Sequence, residues 1–65
     1  MNDTDMEELE FLVDEYFVPE VVASLSTICR LKADDVRGED KEVARKFEAY
    51  SDILNKAREE IDTVS

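Results

Sequence analysis

Carboxylates are the groups this chain has in number that could do chemistry, so their spacing is weighed first. Asp and Glu total 18, Lys and Arg total 8, and His is absent. A helical Mg²⁺ site of the Glu-Glu-x-x-Glu type needs acids on successive turns facing a pocket. Glu7-Glu8-x-Glu10 has the wrong spacing, and Glu59-Glu60-x-Asp62 lies near the end of the last helical pattern. Both runs point away from the apolar positions around them, so they read as solvated faces. A di-iron bundle needs Glu-x-x-His pairs, which a chain without His cannot supply. Asp34-Asp35-Val36-Arg37-Gly38-Glu39-Asp40 gathers acids around the single Gly. A calcium loop begun at Asp34 would put Arg45 where the bidentate Glu belongs, so the stretch reads as a charged turn. No metal and no cofactor is expected.

Cys29 is the only thiol, which forbids an internal disulfide. A nucleophilic Cys wants a base beside it and partial exposure. Cys29 sits on an apolar stripe in a chain without His, so it reads as a small core residue. Lys32 falls inside the same stripe. Its stem can cover apolar surface while the ammonium reaches water; the alternative is a cation in a shallow groove that grips an anionic ligand. No base, nucleophile or acid pair is placed for catalysis, and the expectation is that the chain is not an enzyme.

The charge is uneven. Residues 1–20 hold eight acids and no base, a net of −8, whereas residues 21–65 total −2 of the overall −10. A field of this sign repels nucleic acid and anionic membranes and attracts basic protein surfaces. Bases alternate with acids from Arg30 to Arg58, so no basic patch exists for direct nucleic-acid binding. No apolar run approaches the ~20 residues of a membrane span, and the acidic start does not fit a signal peptide. A cytosolic protein is expected.

Three helical segments must carry these residues, because one Gly and one Pro leave few breaks in 65 residues. Thr4-Asp5-Met6-Glu7 fits a capping box opening a helix over about 5–17. Met6, Leu9, Val13, Tyr16 and Phe17 share one face of it, while Phe11 points nearly opposite, among Glu7, Glu8, Asp14 and Glu15. Val18-Pro19 ends that helix and starts the next, over about 19–36. Arg37-Gly38 reads as its stop, with Gly38 in left-handed geometry. The third helix, about 40–62, carries a heptad seam of Val43, Phe47, Tyr50, Leu54, Ala57, Ile61 and, just beyond it, Val64, flanked by Glu42–Lys46 and Asp52–Lys56 pairs. Asp62 to Ser65 are expected to fray.

The short turn makes the second and third helices an antiparallel hairpin. It should pack along Val22, Leu25, Cys29 and Val36 against Phe47, Tyr50, Leu54 and Ile61. The whole of 1–65 is expected to form one all-α domain, a three-helix mini-bundle with the acidic helix folded across the hairpin or a hairpin with an N-terminal arm, with a core so small that a homodimer or higher oligomer would help complete it.

The run Leu25-x-x-Ile28-Cys29-x-x-Lys32-Ala33-x-x-Val36, followed by Asp40, Ala44 and Phe47, resembles a widespread group of small uncharacterised bacterial and phage proteins. Their pattern is roughly Ala-x-x-Cys-x-x-Lys-Ala-x-His, a polar turn with Asp, then Ala-x-x-Trp. Here Asp34 or Asp35 stands in place of the His, and Phe47 in place of the Trp. The resemblance covers about 25–47 and implies a recurring hairpin in which Cys29, Lys32 and Ala33 are structural.

These features point to a small acidic, non-enzymatic protein-interaction module. Glu7, Glu8, Phe11, Asp14 and Glu15 are the candidate partner-binding residues, an apolar anchor with an acidic rim aimed at a basic protein surface. By analogy of size and charge, phage inhibitors of host defence enzymes occupy nucleic-acid clefts in this way. The alternatives are a self-assembling helical module and a binder of small anions at an oligomer interface.

Overall fold

The computed structural model describes residues 1–64, and these form two helices, α1 Asp3–Val36 and α2 Lys41–Val64. They pack as an antiparallel hairpin. The expected break near Val18-Pro19 is present: the backbone leaves helical geometry at Phe17, within the span of α1. Phe17 there has φ 68° and ψ 162°, a conformation that side chains other than Gly rarely adopt. Pro19 lacks an N–H for the helical ladder and disfavours helical geometry at Val18, so a straight helix cannot run through this point. The segments expected at 5–17 and 19–36 are therefore the two limbs on either side of this break, an N-terminal arm and a hairpin limb.

Phe17 is 74% exposed, so its side chain contributes little burial to offset that backbone strain. Phe17→Gly is expected to raise stability by about 1 kcal/mol, since a strained non-Gly backbone costs on the order of 1–3 kcal/mol. An unchanged or lower urea midpoint for the variant would contradict the bend as described.

The caps differ from expectation at both ends of α1. Asn2, not Thr4, is the N-cap: its Oδ1 accepts from the Asp5 N–H at 2.8 Å. Asn caps as well as Thr does, and starting two residues earlier adds Asp3 to Asp5 at the positive end of the dipole. Gly38 is not left-handed. Arg37 stays right-handed, and the Glu39 and Asp40 N–H groups donate to Val36 O at 3.0 and 2.7 Å, so the turn closes with helix-like bonds. Asp40 then caps α2, its Oδ1 accepting from the Glu42 and Val43 N–H groups, both at 3.1 Å. A Cβ at Gly38 would meet nothing within 4 Å. Gly38→Ala is thus expected to stabilise the hairpin by about 0.4–1 kcal/mol through the unfolded chain, read as a rise in melting temperature.

The seam between the helices is made of small residues. Ser26 and Ala33 on α1, and Ala44 and Ser51 on α2, are the buried residues, and no large side chain is fully buried. Ser26 Oγ lies 2.9 Å from Ser51 Oγ, which fixes the register; one heptad towards the turn, Ala33 falls opposite Ala44. Small side chains let the backbones approach closely and push the large ones to the rims. Val22, Cys29, Val36, Phe47, Leu54 and Ile61, expected to form the seam, are only half-buried flanks of it, and Cys29 is not a core residue. Leu25 and Tyr50 are not in the seam: both are exposed, with Tyr50 set edge-on to Phe47 at 6.1 Å. The Glu42–Lys46 and Asp52–Lys56 pairs do not form. The ion pairs of the described residues are Asp34–Arg37 at 3.3 Å, Arg37–Glu48 and Arg58–Asp62 at 3.9 Å. Exposed pairs gain too little to hold two long side chains in one geometry. Asp62 and Thr63 stay helical, Thr63 Oγ1 donating to Glu60 O at 2.6 Å; Ser65 lies outside the described residues.

The molecule measures 36 × 31 × 13 Å. Its short dimension is well under half of either of the others, so arm and hairpin form a thin slab.

Candidate functional site

The arm, residues 3–16 of α1, has two dissimilar sides. Leu9, Leu12 and Tyr16 turn inward, where they line an open groove of about 260 Å³ with Val21, Leu25 and Ile28 of the hairpin limb. Glu20 and Ser24 supply its polar edge. The outer side carries Glu7, Glu8, Phe11, Asp14 and Glu15, all exposed, Phe11 at 65%. The bend at Phe17 creates this split, because it turns the apolar stripe of the arm towards the hairpin limb and leaves the acidic stripe outside. At 1.5 Å per residue, Glu7 and Asp14 are about 10 Å apart along the axis, and so are Glu8 and Glu15. Phe11 stands between these pairs. The five residues singled out in the sequence therefore occupy one continuous surface, and none of them bonds to the rest of the described chain.

The other candidates lie on the hairpin. Asp34 pairs with Arg37, which also reaches Glu48. Asp40 caps α2, and the Arg37–Glu48 pair crosses from one helix to the other beside the turn. Arg30, Asp34, Arg37, Glu48, Ser51 and Asp52 line an open depression of about 320 Å³ with charges of both signs. Among the described residues, no group of three or more His, Cys, Asp or Glu is placed to hold a metal ion. Cys29 is half-buried and lines a shallow groove with Tyr50, Ile53 and Leu54. Lys32 is exposed and makes no ion pair within the described residues.

Sequence reading missed the polar cluster at the seam. Ser26 Oγ is 3.1 Å from Ser51 O and 2.7 Å from Asn55 Oδ1, besides its contact with Ser51 Oγ. One hydroxyl carries one hydrogen, so Ser26 donates to one of these acceptors while Ser51 can donate back to it. The contacts of these hydroxyls among the described residues are with serine and asparagine groups. The cluster satisfies the polar atoms that the close approach buries. Its signal was a Ser or Ala repeated at seven residues on both helices, 26 and 33, then 44 and 51.

Comparison of the chain with family models, with curated proteins and with solved structures finds no match. No described helix is long and apolar enough to cross a membrane.

Proposed function

We propose that the chain is a non-enzymatic protein-interaction module whose acidic arm docks on a basic, nucleic-acid-binding surface of another protein. The observation that carries this reading is the outer side of the arm: Phe11, 65% exposed, ringed by Glu7, Glu8, Asp14 and Glu15. Solubility alone accounts for scattered surface acids. It does not account for eight of them within 20 residues without a base, or for an aromatic left among them. Carboxylates about two turns apart on a rigid helix can occupy positions that phosphates take on a basic surface, and the exposed ring adds apolar contact at the centre. The partner is then inhibited because its cleft is filled by a surface that nucleic acid cannot share.

The test is capture from an extract of the native cell, with the parent chain and a charge-neutral arm side by side. The variant carries Glu7→Gln, Glu8→Gln, Asp14→Asn and Glu15→Gln. Proteins retained by the parent at low salt should be lost from the variant and should be released from the parent by added duplex DNA. Equal retention by both chains, or retention indifferent to DNA, would contradict the reading.

A further inference from the structure

Looking along the hairpin limb of α1 and along α2, at 100° per residue, the two broad faces of the layer differ in kind. One bears the charged depression around Arg30, Asp34, Arg37, Glu48 and Asp52. The other is centred on the shallow groove of about 330 Å³ lined by Cys29, Tyr50, Ile53 and Leu54. Tyr50 is 49% and Ile53 63% exposed there. Among the described residues, none of the 18 carboxylates of the chain falls within this apolar sector of either helix; its charged residues are Lys32 and Lys46.

We propose that this face is the seat of a second copy of the chain, the two hairpins packing face to face about a two-fold axis into a four-helix bundle. Three observations carry the choice. The first is thickness. A layer 13 Å deep leaves the groove of Cys29, Tyr50, Ile53 and Leu54 open beyond the reach of the arm, and a stable domain needs a second layer. The second is area. The chain exposes 5362 Å², whereas a compact protein of 7.5 kDa exposes about 4,250 Å². The excess, about 1,100 Å², is comparable to the ~800 Å² that each partner covers in a standard interface. The third is charge. A face whose only charges are Lys32 and Lys46 does not suit the basic partner proposed for the arm. It does suit a copy of this chain, because Asp35, Glu42 and Glu60 border the same face and a two-fold axis brings the lysines of each copy towards the acids of the other. The arm carboxylates stay on the outside of such a pair.

Sedimentation equilibrium of the full chain tests this. The parent should show a mass of about 15 kDa, twice the 7.5 kDa of one chain, dissociating on dilution. Added salt should tighten the pair, since it screens repulsion between two chains of charge −10 while leaving apolar burial intact. Ile53→Asp should raise the dissociation constant about 100-fold or more by burying an unpaired charge. Phe11→Asp, equally exposed but off this face, should leave the mass unchanged. A readout on the unaltered chain guards against misfolding of the variant: the rate of Cys29 labelling should fall as protein concentration rises. The proposal is overturned by a one-chain mass for the helical parent up to submillimolar concentration, which would leave the face to a foreign protein. It is equally overturned by a two-chain mass that survives Ile53→Asp, or by labelling independent of concentration.

Discussion

Ala33→Leu is expected to destabilise the protein by about 1–3 kcal/mol, more than any exposed substitution should. Ala33 is 0% exposed and falls opposite Ala44, 2% exposed, where the two helices meet through small side chains. A Leu there has no space to enter, so the helices must separate or the side chain must leave its rotamer. Separation also strains the contacts of Ser26 with Ser51 and Asn55, whose buried polar atoms depend on the same close approach. A single small core seldom supplies more than about 3–5 kcal/mol, so the loss is a large share of the whole. At about 4–8 °C per kcal/mol for a domain of this size, the melting temperature should fall well outside experimental error. An unchanged melting curve would mean that the seam is not at Ala33.

Phe11→Ala should weaken partner binding by about 2 kcal/mol or more, which is about 30-fold in the dissociation constant, if the ring is the anchor. Any one of Glu7, Glu8, Asp14 or Glu15 should cost only about 0.2–1 kcal/mol, the usual range for an exposed ion pair. Their joint removal should act mainly on the association rate, because several like charges on one face steer encounter. Both variants should keep the helical circular dichroism of the parent, since all five side chains are exposed and none bonds to the rest of the described chain. Binding loss accompanied by loss of helix would assign these residues to the fold and not to the surface. The effect of salt separates this contact from self-association: salt should weaken the arm contact and strengthen the pairing of hairpins.

The helical class, the hairpin turn near Gly38 and the bend near Pro19 were legible because each depends on local chemistry: the 3.6-residue period, and one Gly and one Pro in telling places. The exposure of Phe11 was legible for the same reason, being fixed by position on one helix. The seam was not. Matching the largest apolar residues across the turn put Leu25 and Tyr50 inside, whereas the chain closes on Ser26, Ala33, Ala44 and Ser51 and leaves those two outside. Two Ser residues read as surface until each is seen to satisfy the other across 25 residues of sequence. The Gly38 geometry was hidden likewise, because it depends on how Val36 O and Asp40 close the turn and not on the glycine itself. The outer side of the arm was legible as a surface. What it binds depends on a second molecule, whose shape one chain does not encode.

If carboxylates of the arm make the contact with the partner, affinity must depend on salt. Once a partner is purified from the capture experiment, its dissociation constant should be measured across about 0.05 to 0.5 M salt for the parent and for the charge-neutral arm. The parent should bind more tightly at low salt and lose affinity steadily as salt rises; the variant should bind weakly with a flat profile, and the two should converge at high salt. Parallel profiles, or a parent whose affinity does not change with salt, would contradict that contact and leave the arm's charge as a device for solubility.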